Sequence, residues 1–467
     1  MDVRHSPTTT SRKRKVMAEI IAGVKVSKTA AVGKVSGRRL GQGASFSVLV
    51  CANVLLMAST SAPSPIYPLY LQRWGFSVTI LTVIFAAYVA GLVGALLTVG
   101  SLSDHLGRRP VLVGSLLVAA AGTAIFWAAG GVFSLVLARV VQGIATGTAT
   151  GALAAGLVEF SPEGRPHVGP TMTAVGTTFG LAIGGGLAGL LVQLSPRPDA
   201  EIFPGLTLAF VVLAALVFAI PETVVRRGGG LAALRPRIRV PRETRREFFA
   251  ALPAIVAGWS LTGLFLALAP SLVRDVLHIR FGAAGGLSIT VLFIANSAGG
   301  LLAARRPARR ATLLGAVLLS LGTGGLAAAL AFASPSVFIG ASIVSGLGVG
   351  LTFNGTLRAI SGATTAKSRS EVFSAAFLVS YAALGLPSLA AGLAAPSWGL
   401  ETTSYLYTSF IGALSVGAAL HAGRHLAFRP NQSRPGRLPS PGQAAGRRDD
   451  RTRRTSARTP LNLPEAA

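Results

Sequence analysis

The sequence predicts an all-α membrane protein, with twelve transmembrane helices arranged as two six-helix bundles. Three observations carry that class. Of the 467 residues, 51% are hydrophobic and 13% charged, whereas a water-soluble chain carries about a quarter charged residues. A hydrocarbon core of about 30 Å takes about 20 helical residues to cross, and apolar runs of that order occur twelve times along the chain. The longest internal connection, rich in arginine, follows the sixth run and divides them six and six.

The runs cover 47–70, 78–100, 111–130, 133–158, 169–194, 203–220, 249–272, 284–304, 311–333, 336–360, 371–394 and 402–422. With no water in a bilayer to receive free N–H and C=O groups, runs of this kind fold as helices. The predicted organisation is therefore a basic N-terminal tail (1–45), a first bundle (46–220), a basic linker (221–248), a second bundle (249–422) and a basic C-terminal tail (423–467). The first tail holds basic clusters at Arg12 to Lys15 and at Arg38 and Arg39, without an apolar core and small-residue cleavage site. No cleavable signal peptide is expected, so span one inserts as an uncleaved anchor; Met17 is an alternative start to Met1. The last tail, rich in Pro, Gly, Ser and Arg, has the composition of a disordered segment.

The net charge of +27 raises the question of nucleic acid, and its distribution answers it. With the N-terminus in the cytoplasm, about 38 of the 43 Lys and Arg residues fall in the tails and the even-numbered connections, and Arg73, Arg197, Arg274 and Arg280 fall outside. This asymmetry orients the chain with both termini cytoplasmic. The basicity then reports topology, no nucleic-acid partner is expected, and the bilayer is the expected partner, its anionic headgroups attracting juxtamembrane basic clusters. Cys51 is the single cysteine, so no intrachain disulfide is possible. There is no GxxxxGK[ST] loop and no His/Cys cluster with metal spacing, so neither a nucleotide, a metal nor another cofactor is expected, and no enzymatic activity.

Between spans two and three lies the hydrophilic run GSLSDHLGRRP. Gly100 and Gly107 permit the close approach or positive φ that a short inter-helix turn requires, and Asp104 suits a helix N-terminus. Gly100, Asp104, Gly107, Arg108 and Arg109 together resemble the signature loop of the major facilitator superfamily of transporters. The resemblance implies that Asp104 faces the start of span eleven across the two halves, and that a loop arginine pairs with an acid at the end of span four, the place that Glu159 occupies. The corresponding connection of the second half, Arg305-Arg306-Pro307-Ala308-Arg309-Arg310, keeps the basic charge and lacks the Gly and Asp.

Span four resembles a second motif of that family. Arg139, Gln142, Thr146 and Thr150 share one helical face, while Gly143, Gly147 and Gly151 form a smooth ridge. An unpaired guanidinium within hydrocarbon costs about 2.5–3.5 kcal/mol on insertion scales, so Arg139 is expected to meet a partner or a cavity and to act in substrate or proton energetics. Gly176, Gly180 and Gly184 of span five are expected to pack helices closely. The Gly184-Gly185 pair stands where drug antiporters of the family carry Gly-Pro. The resemblance implies a cavity lined by spans one, four, seven and ten. Candidate lining residues are Asn53, Thr60, Ser64 and Tyr67, spaced as one polar face of span one, with Trp259, Asn296, Asn354 and Tyr381.

No Asp or Glu stands near the middle of any span, so the buried acid that commonly serves proton-driven export of cations is absent, which points to a neutral, amphiphilic or anionic substrate, or to coupling through an end carboxylate such as Glu159. The resemblance implies a monomeric secondary transporter in the plasma (inner) membrane that moves a small molecule by alternating access. Proton-coupled efflux is the leading expectation, ahead of uptake of a sugar or organic acid and of a non-transporting sensor on the same fold.

Overall fold

The computed structural model describes residues 39–99, 102–224, 240–364 and 369–427. The tails up to residue 38 and from residue 428, and most of the linker, lie outside the described residues, as does Gly100. Among the described residues the chain is helical, with twelve helices long and apolar enough to cross a membrane and three short ones. In the first half these are α1 (Gln42–Ser61), the short α2 (Tyr67–Trp74), α3 (Val78–Val99), the short α4 (Leu102–Leu106), α5 (Arg108–Trp127), α6 (Val132–Glu159), α7 (Val168–Leu194) and α8 (Pro198–Phe218). In the second they are α9 (Arg242–Ala267), the short α10 (Ala269–Asp275), α11 (Ala284–Ala304), α12 (Ala308–Ala331), α13 (Pro335–Gly362), α14 (Arg369–Trp398) and α15 (Leu400–Ala427).

Span one departs from its predicted continuity. Helix α1 stops at Ser61, residues 62–66 form turns, and the helix resumes as α2. Pro63 and Pro65 have no N–H to offer the preceding turn, and Ser64 and Ile66 instead donate to the carbonyls of Ser61 and Pro63 at 3.0 Å. Asn53, Thr60, Ser64 and Tyr67 are thus not one continuous helical face. Span seven breaks in the same place of its half, at Leu268 between α9 and α10, with Pro270 in the first turn of α10.

Close backbone approach holds each bundle together. A Cβ on Gly143 would lie 2.2 Å from the carbonyl oxygen of Tyr88 in α3, and one on Gly184 would lie 2.0 Å from that of Ala58 in α1. Gly147 extends the α3–α6 seam, and Gly176 and Gly180 extend the α1–α7 seam. The two halves meet along α3 with α14 and α7 with α11, and one hydrophobic core crosses between them, joining Phe85, Tyr88 and Leu181 to Leu261, Phe265 and Leu384. Hydrogen bonds reinforce this junction at the face away from the termini. There Thr79 Oγ1 donates to the Gly392 carbonyl at 2.6 Å, the Gly282 N–H to Gln193 Oε1 at 2.7 Å and Arg274 Nη1 to the Pro68 carbonyl at 3.3 Å. Nearer mid-membrane the hydroxyls of Thr178 and Ser297 share a hydrogen bond of 2.5 Å.

Candidate functional site: a buried arginine node and a charged corner

Pro63 determines what surrounds Arg139. In an uninterrupted helix the Ser59 carbonyl would accept from the N–H of residue 63 and the Thr60 carbonyl from that of residue 64. Pro63 has no N–H, and that of Ser64 is turned to Ser61. Both orphaned carbonyls are met from α6. Gln142 Nε2 donates to Ser59 at 2.7 Å, and Arg139 Nη1 donates to Thr60 at 2.9 Å and to Gln142 Oε1 at 2.7 Å. The Nε–H of Arg139 donates to the Tyr67 hydroxyl. The guanidinium is fully buried, its carbon 5.3–5.6 Å from the ring centres of Tyr67, Tyr88 and Phe126, a cation–π setting that offsets part of its desolvation. Nη2 and, in the turn, the buried hydroxyl of Ser64 have no hydrogen-bond partner.

The remaining candidates divide into two groups. Thr60 and Tyr67 join the Arg139 node, and the Thr60 hydroxyl lies 3.3 Å from that of Tyr88. Asn53 is elsewhere, donating to the Thr173 carbonyl at 3.0 Å in the α1–α7 seam beside Gly176. In the second half Trp259 packs against Tyr381, while Asn354 donates to the Gly350 carbonyl of its own helix at 2.9 Å and abuts Gly300. Asn296 is half-buried in α11. None of these four touches the arginine node directly; Tyr88 lies between, in one core with Trp259 and Tyr381 packed against it.

At the termini face, Arg108 Nε lies 3.3 Å from Glu159 Oε1, and its Nη1 donates to Ser103 at 2.7 Å. The first turn of α5 leaves N–H groups without helical partners and carries the positive end of the helix dipole. Glu222 meets both needs, accepting from the N–H groups of Arg108 at 2.9 Å and Arg109 at 3.1 Å, and from those of Thr223 and Val224 at 3.2 and 3.3 Å. Thr223 donates to Glu159 Oε2 at 2.5 Å, and the Arg109 guanidinium covers the Phe218 ring at 5.0 Å. The turn closes because Gly107 adopts φ +104°. Sequence reasoning missed Glu222 and Thr223; the available signal was an acid, Pro221-Glu222-Thr223, directly after the sixth apolar run. Gly100 and the side chain of Asp104 lie outside the described residues. Among the described residues no group of three or more His, Cys, Asp or Glu could hold a metal ion.

Comparison with known proteins agrees with this architecture. The multidrug transporter MdfA of Edwardsiella ictaluri (strain 93-146) is 29% identical over 274 residues, which cover 56% of this chain and 64%, under two thirds, of that relative. Among solved structures, a bacterial homolog of the human lysosomal transporter Spinster, inward-facing and unoccupied, superposes with a TM-score of 0.67 at 14% identity, covering 84% of this chain and 99% of the other. A POT family transporter in complex with 5-aminolevulinic acid gives a TM-score of 0.64 at 12% identity, covering 85% and 97%. At such identities the structures speak for the fold. The profile of the Major Facilitator Superfamily matches residues 49–388, nearly three quarters of the chain, and the protein is a multi-pass member of that transporter family.

Proposed function

We propose that the protein exports small organic solutes in exchange for protons by alternating access, as a monomer in the plasma (inner) membrane with both termini cytoplasmic. The observation that carries this reading is the seam between the halves, whose hydrogen bonds among the described residues lie mid-membrane and at one face. The hydrogen bonds of Thr79, Gln193 and Arg274 between the halves gather at the face away from the termini. With the termini cytoplasmic, as the basic residues favour, this is the outer side, and the closed seam is that of an inward-facing state. The similarity to a multidrug transporter favours export. Arg139 couples the broken span one to span four, and the signature loop latches the cytoplasmic side through Asp104 and through Arg108 with Glu159. Uptake of a sugar or organic acid is a second reading, favoured by the absence of acids near the middle of any span.

The test is purified protein in liposomes under an imposed pH gradient. Solute movement coupled to protons is expected; no flux and no proton movement across a broad panel would favour a sensor and sink the proposal. Arg139→Ala should abolish flux while leaving expression intact, and unchanged transport would refute its coupling role. Asp104→Asn should shift the balance between inward and outward accessibility to thiol labelling, and equal labelling of mutant and parent would refute the latch.

A further inference from the structure

Trp259 of α9 forms T-shaped pairs with Phe353 of α13 and Tyr381 of α14, with centroids 5.5 and 5.1 Å apart and planes at 75° and 70°. Phe377, one turn before Tyr381, adds a fourth ring at 6.4 Å. All four are only half-buried. Trp259 and Tyr381 pack against the core that joins the halves, and Trp259 also packs against the core at the termini end of the second half. The rings therefore lie on the termini side of the closed seam. Five residues, about 140° of helical rotation, separate Tyr381 from Leu386, which is 64% exposed on the outer surface of α14. Tyr381 thus does not share the outward face of α14 on which Leu386 stands. Across the seam stands Tyr88, whose ring lies 5.5 Å from the Arg139 guanidinium.

We propose that these four rings form the substrate wall and that the site takes planar, ring-bearing solutes that are neutral or anionic and rejects lipophilic cations. The inference rests on the transport reading above and adds the chemistry of the solute. Every one of the 16 acidic residues lies in a tail, a connection or at a span end, so no carboxylate inside the membrane can receive a cationic solute. Arg139 is a permanent positive charge whose partners are neutral oxygens and rings, and in a region of low dielectric its field reaches further than in water. Aromatic clusters bind cations when ring faces surround the charge. Here the four rings are only half-buried, which leaves ring surface for stacking another ring.

The experiment measures binding of three matched probes to the detergent-purified full chain: naphthalene-2-carboxylate, its carboxamide, and naphthalen-2-ylmethyl-trimethylammonium. Flux of the same probes is followed in liposomes. The carboxylate and the amide are expected to bind, with the cation at least tenfold weaker. Trp259→Ala should weaken the first two at least tenfold and Trp259→Phe less than threefold. Arg139→Gln should reduce the discrimination against the cation to under threefold. The three probes on the parent protein decide the charge rule without any variant, since cation binding within threefold of the amide overturns it. Absence of binding by all three overturns the ring wall. Binding without flux keeps the site and overturns the transport reading instead.

Discussion

The same corner of the two halves is closed by opposite chemistry. In the first half a carboxylate, Glu222, caps the start of α5, while Arg108 ties the turn to Glu159 at the end of α6. In the second half the last residue of the equally long α13 is Gly362 rather than an acid, and the residue before α12 is Pro307, whose side chain offers no cap. There an arginine works on the other end of the connection. Arg358 Nη2 donates to the carbonyls of Ala303 and, at 3.0 Å, Arg306 where α11 ends. A helix start needs acceptors and a helix end needs donors, so either sign of side chain can close the corner, depending on which end it serves. The consequence differs. Glu222 and Thr223 stand where the linker begins, so the first corner ties the start of the linker to the first bundle, whereas the bonds of Arg358 stay within the second bundle.

Breaking the first corner at Gly107 should have the largest effect. A side chain there is strained by φ +104°, and its Cβ would lie 2.6 Å from Glu222 Oε2. Gly107→Ala thus strains the turn and displaces the cap together, an expected loss of about 2–4 kcal/mol read from unfolding in detergent. Glu222→Ala removes the cap alone and should cost about 1–2 kcal/mol. Were it neutral, the corner would owe its closure to Gly107 and the comparison would collapse. In the second half Arg358→Ala leaves two helix-end carbonyls to other donors or water, an expected loss of about 1 kcal/mol by the same measurement. Glu247→Gln should change stability by under about 0.5 kcal/mol, because its pairing with Arg309 spans 3.6 Å between side chains 42% and 40% exposed. A larger loss there would mean that the second corner also depends on an ion pair.

Much of the architecture was legible before any coordinates. The twelve runs, their division six and six, and the turn with Gly107, Arg108 and Arg109 could be read because a bilayer imposes length and apolarity on every span. The polar face assigned to span one could not, since helical spacing was extended across Pro63 and Pro65, where the helix in fact stops. Asn53 marks a second limit: it stands two turns before Thr60 in the unbroken α1, yet it is taken up by another seam, against Thr173.

The sequence by itself determined that this chain spans a membrane twelve times and carries an arginine within span four, because hydrophobic length and charge scarcity act locally and are read residue by residue. Only the tertiary structure decided what that arginine does. Removing one N–H at Pro63 frees carbonyls in α1, and their replacement donors, Gln142 and Arg139, come from a helix some 80 residues away. The same holds for Glu222, whose partners lie 113 and 114 residues earlier. Hydrogen bonds between distant segments leave no periodic trace in a sequence, because they depend on where two helices come to rest rather than on what either is made of.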